Sequence, residues 1–536
     1  MSGRNDEAGR QRVVITVVTP EIDGGRFPIR RVVGEAVVVE ADAFADGRDA
    51  ITCRLLVRPA QARGWSEAPM TAQPGDRWRA SFTAGEVGRW QYTVTAWVDH
   101  FKTWRRDLRL RVDAGQDVTA DLLHGAALVR DAARRADEEQ KPGEKKTEAR
   151  ILAALAADLE TGADPAARLR LALDDELALL MDRYTDRRFA TTYRELNVVV
   201  DRERARFCSW CETDREDAAA RLAAAAAMGF DVLSLPPSSE PVPGAEPGVE
   251  TAVNLDGQAG DFDGEEWRAA WRAQKGSVDR WIAQGVRIFT VEEPDGWPFA
   301  FWEWLIGWVK SEHPDVLFLA VAAARPKVMD RLARLGFTWV RHELTEASAA
   351  EPDQRDQEAV RHRDLWRSLL WVSPGGADFH QRLVLAATQA ASYGVSAGEH
   401  PDTLPETLPA ALDGARDLIT RLNTIRRENP ALQSDRGLRF HPTDNERILC
   451  FSRVDAKAAN VLLVVVNLDP VQAQSGWLEL AGDDLGLPRD QPYPVHDLLS
   501  GARYLWHGTR NFVQLDPQPI PALIFRVRGR RGNDRR

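Results

Sequence analysis

Two apolar runs, residues 287–291 and 316–321, each end in a loop, and residues 302–311 between them have helical spacing. A strand–helix–strand order predicts parallel neighbours joined by a crossover, with their C-terminal ends on one rim. In an enzyme barrel that rim carries the reactive groups. The first run leads into Glu292-Glu293-Pro294, whereas the second delivers Val321. A carboxylate pair on one strand thus stands beside an aliphatic side chain on the next.

The same alternation runs through residues 230–235, 265–284 and onward, so residues 194–432 are expected to form a (β/α) barrel. Before it, residues 13–115 alternate with period two between Gly, Asp and Pro turns, which predicts an immunoglobulin-like β-sandwich. Residues 116–193 are rich in Ala, Leu, Glu and Arg and predict a helical insert, broken by the polar stretch 141–146. Residues 433–528 predict a closing β-sandwich, with a disordered N-terminus over 1–12 and a basic tail over 529–536. At 536 residues the chain exceeds one core, so the class is multidomain α/β.

A net charge of -11 argues against nucleic acid or a membrane surface as partner, because polyanion binding needs clustered cations. The N-terminus lacks an apolar signal core, and 461–466 is too short to span a bilayer, so a cytoplasmic protein is expected. Cys208 and Cys211 have redox-pair spacing, but no second pair accompanies them, so semi-buried thiols at a strand end are expected. His380 and His400 have no partner at metal spacing, and Asp42, Asp46 and Asp49 lack the Gly and Glu of a calcium loop. Neither a metal nor a cofactor is expected.

Longer stretches carry a resemblance. They include Pro20-Glu21-Ile22-Asp23-Gly24-Gly25-Arg26-Phe27-Pro28-Ile29, Asp201-Arg202-Glu203-Arg204-Ala205-Arg206-Phe207, Phe301-Trp302-Glu303-Trp304-Leu305-Ile306, Thr424-Ile425-Arg426-Arg427-Glu428-Asn429-Pro430 and Ser475-Gly476-Trp477. In all four regions the chain resembles the α-1,4-glucan:maltose-1-phosphate maltosyltransferases (the GlgE family) of the α-amylase clan. The resemblance implies an amylase-type barrel, a dimer built with the helical insert, and retaining transfer of maltosyl units to an α-1,4-glucan. Retention needs two carboxyl groups roughly 5 Å apart, a nucleophile and an acid/base.

Against the family's pattern the chemistry is altered. The nucleophile strand, like F-R-V-D-N-P in the family, reads Phe289-Thr290-Val291-Glu292-Glu293-Pro294, so Thr290 replaces the supporting arginine and Glu292 the aspartate. The acid/base strand, like F-L-A-E-A, reads Phe318-Leu319-Ala320-Val321-Ala322, 29 residues further on. A third acid is missing from Arg367-Ser368-Leu369-Leu370-Trp371, although Asp364 lies nearby, and a phosphate-gripping lysine aligns with Val253. Glu293 is a further remnant beside the nucleophile position. The acceptor loop shrinks to Ser396-Ala397-Gly398-Glu399-His400-Pro401.

Only 27 residues lie between Pro237 and Glu265, which predicts a truncated barrel lacking about two βα units, with residues 251–255 as a makeshift edge. The expectation is therefore a degenerate maltosyltransferase homologue without an intact catalytic or substrate-binding set, serving as a scaffold. Its partners would be a second copy, an active paralogue, or an α-glucan or malto-oligosaccharide. The rival is an active or weakly active enzyme working through Glu292, or a carbohydrate-binding protein.

Overall fold

A computed structural model of the chain describes all residues except 1–9, 140–146, 213–217, 236–247, 256–266, 322–325, 345–366, 397–409, 456, 458, 489–490 and 528–536. The predicted terminal segments, the polar break at 141–146, Asp364 and His400 therefore lie wholly or mainly outside the described residues. Two compact units are present: Met1–Arg26, Glu35–Ala84 and Trp90–Val198 form the first, and Phe27–Gly34, Gly85–Arg89 and Val199–Arg536 the second.

In the first unit one antiparallel sheet is ordered Val13–Thr19, Ala36–Ala45, Arg77–Thr83, Thr71–Gln73. In the other, Gly88–Val98 lies between Leu196–Asp201 and Ile51–Pro59, with Ser66–Pro69 outside. The expected domain boundaries shift here. Helix begins at His100 rather than 116, because Asp99 accepts from Lys102 N as N-cap and Phe101, Trp104 and Leu108 then fall on one buried face. Leu196–Asp201, expected in the barrel, joins the sheet instead. Four more helices follow, Thr119–Glu139, Thr147–Thr161, Pro165–Ala172 and Asp175–Arg183. They share a core of Leu122, Val129, Leu152, Leu159, Leu177 and Met181.

The second unit holds a closed barrel of eight parallel strands. In order they are Cys208–Glu212, Val232–Leu235, Glu250–Leu255, Ile288–Glu292, Leu317–Val321, Trp339–Glu343, Arg367–Val372 and Ser392–Val395. The expected loss of two βα units is thus corrected: every strand is present. Residues 251–255 are no makeshift edge, since the third strand pairs with both the second and the fourth. Fourteen residues separate Leu235 from Glu250, and a parallel crossover needs only about a dozen. The next crossover uses the helix Trp267–Ala283, already expected from its periodicity.

Strand alternation sorts side chains between two layers. Cys208, Trp210, Val232, Ala252, Ile288, Leu317, Leu319, Trp339, Leu369 and Trp371 fill the interior together with Val32. Val253, Leu255, Phe289, Val291, Phe318 and Ala320 instead pack outward against Phe301, Trp302, Leu305 and Leu332 of the surrounding helices. The aromatic stretch around Trp302 is core, as its helical spacing implied, with Trp304 partly exposed.

Near the base of the barrel Asp201 is buried between two cations. Arg30 Nη2 donates to Asp201 Oδ2 at 2.9 Å and Lys310 Nζ to Oδ1 at 2.7 Å, while Arg30 also donates to Gly336 O at 2.7 Å. The C-terminal β-domain has a sheet ordered Leu438–His441, Ile448–Asp455, Asn460–Asn467, Ala522–Val527, Tyr493–Asp497, Arg503–Trp506, and a ribbon of Gln474–Glu479 with Arg510–Leu515.

Candidate functional site

The C-terminal ends of the barrel strands gather the polar residues expected to matter, together with several that sequence reasoning missed. Glu292 ends the fourth strand with its side chain exposed, in register with Val321 of the fifth. Asn254 Nδ2, from the third strand, donates to Glu292 Oε1 at 2.6 Å. An amide therefore holds the carboxylate where the family's pattern has an arginine. Thr290, at that arginine position, is 4% exposed, and among the described residues its Oγ1 and Asn254 Oδ1 have no hydrogen-bond partner. Such buried orphans cost about 1–3 kcal/mol each.

Glu293 leaves the strand in the left-handed region, φ 48°, and its backbone N–H donates to Val321 O at 3.0 Å. It opens the turn Pro294–Gly296, which Trp302 Nε1 anchors through Pro294 O at 2.7 Å. Val253 is not at the mouth. It is 1% exposed and packs in the layer between strands and helices, so the position aligned with a phosphate-gripping lysine projects away from the rim. Its neighbour Asn254 takes the inward face, a parity readable from Ala252-Val253-Asn254.

Across the mouth, the chain's own side chains form a connected lattice. Arg341 of the sixth strand stacks 4.3 Å over the Trp371 ring of the seventh. Its guanidinium reaches Glu343 Oε2 at 3.3 Å, Glu212 Oε2 of the first strand at 3.6 Å, and Ser396 Oγ, just beyond the eighth, at 3.2 Å. Trp371 Nε1 also donates to Ser396 Oγ at 2.5 Å, and Ser373 Oγ to Glu343 Oε1 at 2.6 Å. Beneath these, Trp210 meets Trp339 edge-on at 5.4 Å and Trp371 at 6.4 Å. Three indoles thus occupy the interior below the rim.

Gly394 makes the Trp371 position possible. A Cβ there would come within 2.2 Å of the Trp371 ring. Gly394→Ala is therefore expected to destabilise the protein by about 1–3 kcal/mol through overpacking. The cost should largely vanish in a Trp371→Ala background, a coupling that chemical denaturation of the four proteins in the cycle measures.

The remaining candidates resolve as structural groups. Cys208 and Cys211 are buried on the first barrel strand, and burial pushes both thiols up to about 12, which leaves them inert at neutral pH. Asp42 pairs with Arg77 at 3.1 Å, and Asp46 and Asp49 pair with Arg12 at 2.8 and 2.7 Å. His380, lowered by burial, lies in the first turn of the helix Phe379–Gln389. No group of three metal-ligating side chains is found among the described residues.

Comparison with known proteins follows the same map. The family model "Alpha-1,4-glucan:maltose-1-phosphate maltosyltransferase, domain N/S" matches residues 11–202, and "GLGE, C-terminal" matches residues 440–527. The Alpha-1,4-glucan:maltose-1-phosphate maltosyltransferase of Chlorobaculum tepidum is 32% identical over 97% of this chain and 97% of its own. That of Rhodospirillum rubrum is 33% identical over 96% of this chain and 95% of its own. Among solved structures, an α-amylase from Geobacillus thermoleovorans overlaps 61% of this chain and 99% of its own at 12% identity and TM-score 0.45. The Chlorobaculum match spans 659 positions against a chain of 536, so at least 123 have no residue here. Across its length, from the N-terminal sheets to the C-terminal β-domain, this chain belongs to the α-1,4-glucan:maltose-1-phosphate maltosyltransferase family.

Proposed function

We propose that this family member does not transfer maltosyl units at its barrel, and serves as a glucan- or partner-binding scaffold in α-glucan metabolism. One observation supports the reading most: at the mouth, Glu292 pairs with an amide and has Val321 as its register neighbour. Double displacement with retention needs a second carboxyl group to protonate the leaving oxygen and deprotonate the acceptor. Val321 can do neither. The lattice of Arg341, Trp371, Glu212, Glu343 and Ser396 further fills the rim with groups bonded to each other.

The exposed carboxylate of Glu292 favours one alternative, slow transfer through a misplaced nucleophile. Both readings meet in one assay: protein, maltose-1-phosphate and a malto-oligosaccharide, with phosphate as readout. Sustained release that Glu292→Gln abolishes overturns the inactive reading.

The scaffold is proposed to act in the cytoplasm as a dimer, with itself or with an active relative. No helix among the described residues is long and apolar enough to cross a membrane. Native mass measurement of the protein mixed with an active relative is expected to show the mixed dimer, and self-dimers alone would count against that pairing.

A further inference from the structure

The ribbon of Gln474–Glu479 and Arg510–Leu515 has two unlike faces. Leu478, Val513 and Leu515 point into the core of the C-terminal β-domain. On the other face, Ser475, Trp477 and Glu479 stand directly opposite Gln514, Phe512 and Arg510. Trp477 stays 40% exposed and Phe512 51%, with their rings edge to face at 5.5 Å. The Arg510 guanidinium lies 4.9 Å over the Trp477 ring.

Apart from the stacking of Arg510 on Trp477, the polar groups around this pair are unengaged. Among the described residues, no hydrogen bond or ion pair within the protein uses the side chains of Ser475, Glu479, Arg510 or Gln514, or the indole N–H of Trp477. Packing accounts for Leu478 but not for two large, partly exposed rings flanked by side chains that make no hydrogen bond within the protein. Ser475-Gly476-Trp477 is also one of the stretches that carry the family resemblance.

We infer that this face binds a segment of α-1,4-linked glucan, outside the barrel. A pyranose presents apolar C–H faces and a rim of hydroxyls, so it needs aromatic surface flanked by hydrogen-bonding groups. The ribbon supplies both. Glu479 and Arg510 oppose each other in register, so the face carries no net charge. That suits an uncharged polymer, whereas a nucleic acid or an anionic bilayer needs clustered cations. The choice of glucan over other neutral saccharides rests on the proposed place in α-glucan metabolism, and the site itself does not depend on the state of the barrel.

Electrophoresis of the full chain through gels containing glycogen tests it, with a neutral β-linked glucan as control. Retardation is expected in glycogen and not in the β-glucan. Trp477→Ala should weaken the apparent affinity about tenfold, and Arg510→Ala by a smaller factor, with melting temperatures unchanged. Trp477→Phe, which keeps a stacking ring, should retain most of the binding. The inference is overturned if the protein runs freely in glycogen, if Trp477→Ala/Phe512→Ala is retarded like the parent, or if the β-glucan retards equally. It is also overturned if Trp371→Ala at the barrel mouth abolishes binding while Trp477→Ala does not. Since no maltose-1-phosphate is present, each of these results leaves the inactive-barrel reading to the phosphate assay.

Discussion

Phosphate release from maltose-1-phosphate is expected to run roughly 10⁴- to 10⁶-fold more slowly with this protein than with an active relative. Two losses multiply. Glu292 is one methylene longer than the aspartate of the family's pattern, which moves its oxygens by about 1 Å and costs on the order of a hundredfold. Val321 at the acid/base position removes another factor of roughly 10² to 10⁴. The displaced carboxylate slows both half-reactions, as nucleophile and then as leaving group, whereas the missing acid/base bears mainly on the second, where the two factors multiply. Phosphate leaves without much need of a proton, so attack by Glu292 on the anomeric carbon is the less impaired half. The acceptor hydroxyl, by contrast, has no base beside it to take its proton. A burst of about one equivalent of phosphate with no glucan extension would therefore place the block at the second half-reaction. Rapid, continuous extension would sink the reading altogether.

Asp201→Ala is expected to be the most damaging single change to the fold, costing about 3–5 kcal/mol in urea denaturation. Arg30 and Lys310 are both within a few per cent of full burial, and removal of their shared carboxylate leaves two cations in a low-dielectric interior. Burial acts to raise the Asp201 carboxyl, but the charges and hydrogen bonds of Arg30 and Lys310 override it and hold the group below the usual carboxylate range. A depressed acid contributes stability that is complete above its unfolded value of about 3.9 and is lost as pH falls through the folded one. The parent should thus keep this contribution at pH 5 and lose it only in strong acid, and Asp201→Asn should flatten that acid limb. Asp201→Ala/Lys310→Met should recover part of the loss, since it removes a charge along with its partner. A loss below about 1 kcal/mol for Asp201→Ala would show that the ion triad is not a structural anchor.

What could be read in advance divides along physical lines. Residues 287–291 and 316–321 were legible as strands because both of their faces are buried, which leaves near-continuous apolar runs. Closure of the barrel was not, because the 27 residues between Pro237 and Glu265 leave little room for two complete βα units, yet they hold the third strand, Glu250–Leu255. The positions of Glu292 and Val321 followed from motif alignment, and the structure sets them in direct register. Val253 and Asn254 take opposite faces of the third strand, a parity readable from the sequence, and Asn254 is the one that faces inward. Arg341, Trp371 and Ser396 come from three different segments, and only the register of strands six to eight brings them together. Local spacing carries no trace of such a meeting, although a glycine at position 394 opposite a large aromatic is the kind of size pairing that could have suggested it.

The stretches Phe27–Gly34 and Gly85–Arg89 belong to the second unit although the sequence on either side of them builds the first. Neither unit is therefore a contiguous cassette. A gene fragment beginning at Val199 encodes all eight barrel strands yet leaves out Arg30, and with it one of the two cations on Asp201. Recombination at a single point cannot exchange this barrel for another or discard it. In such an interleaved chain the N-terminal region cannot be cut away without taking part of the barrel unit's own ion triad with it.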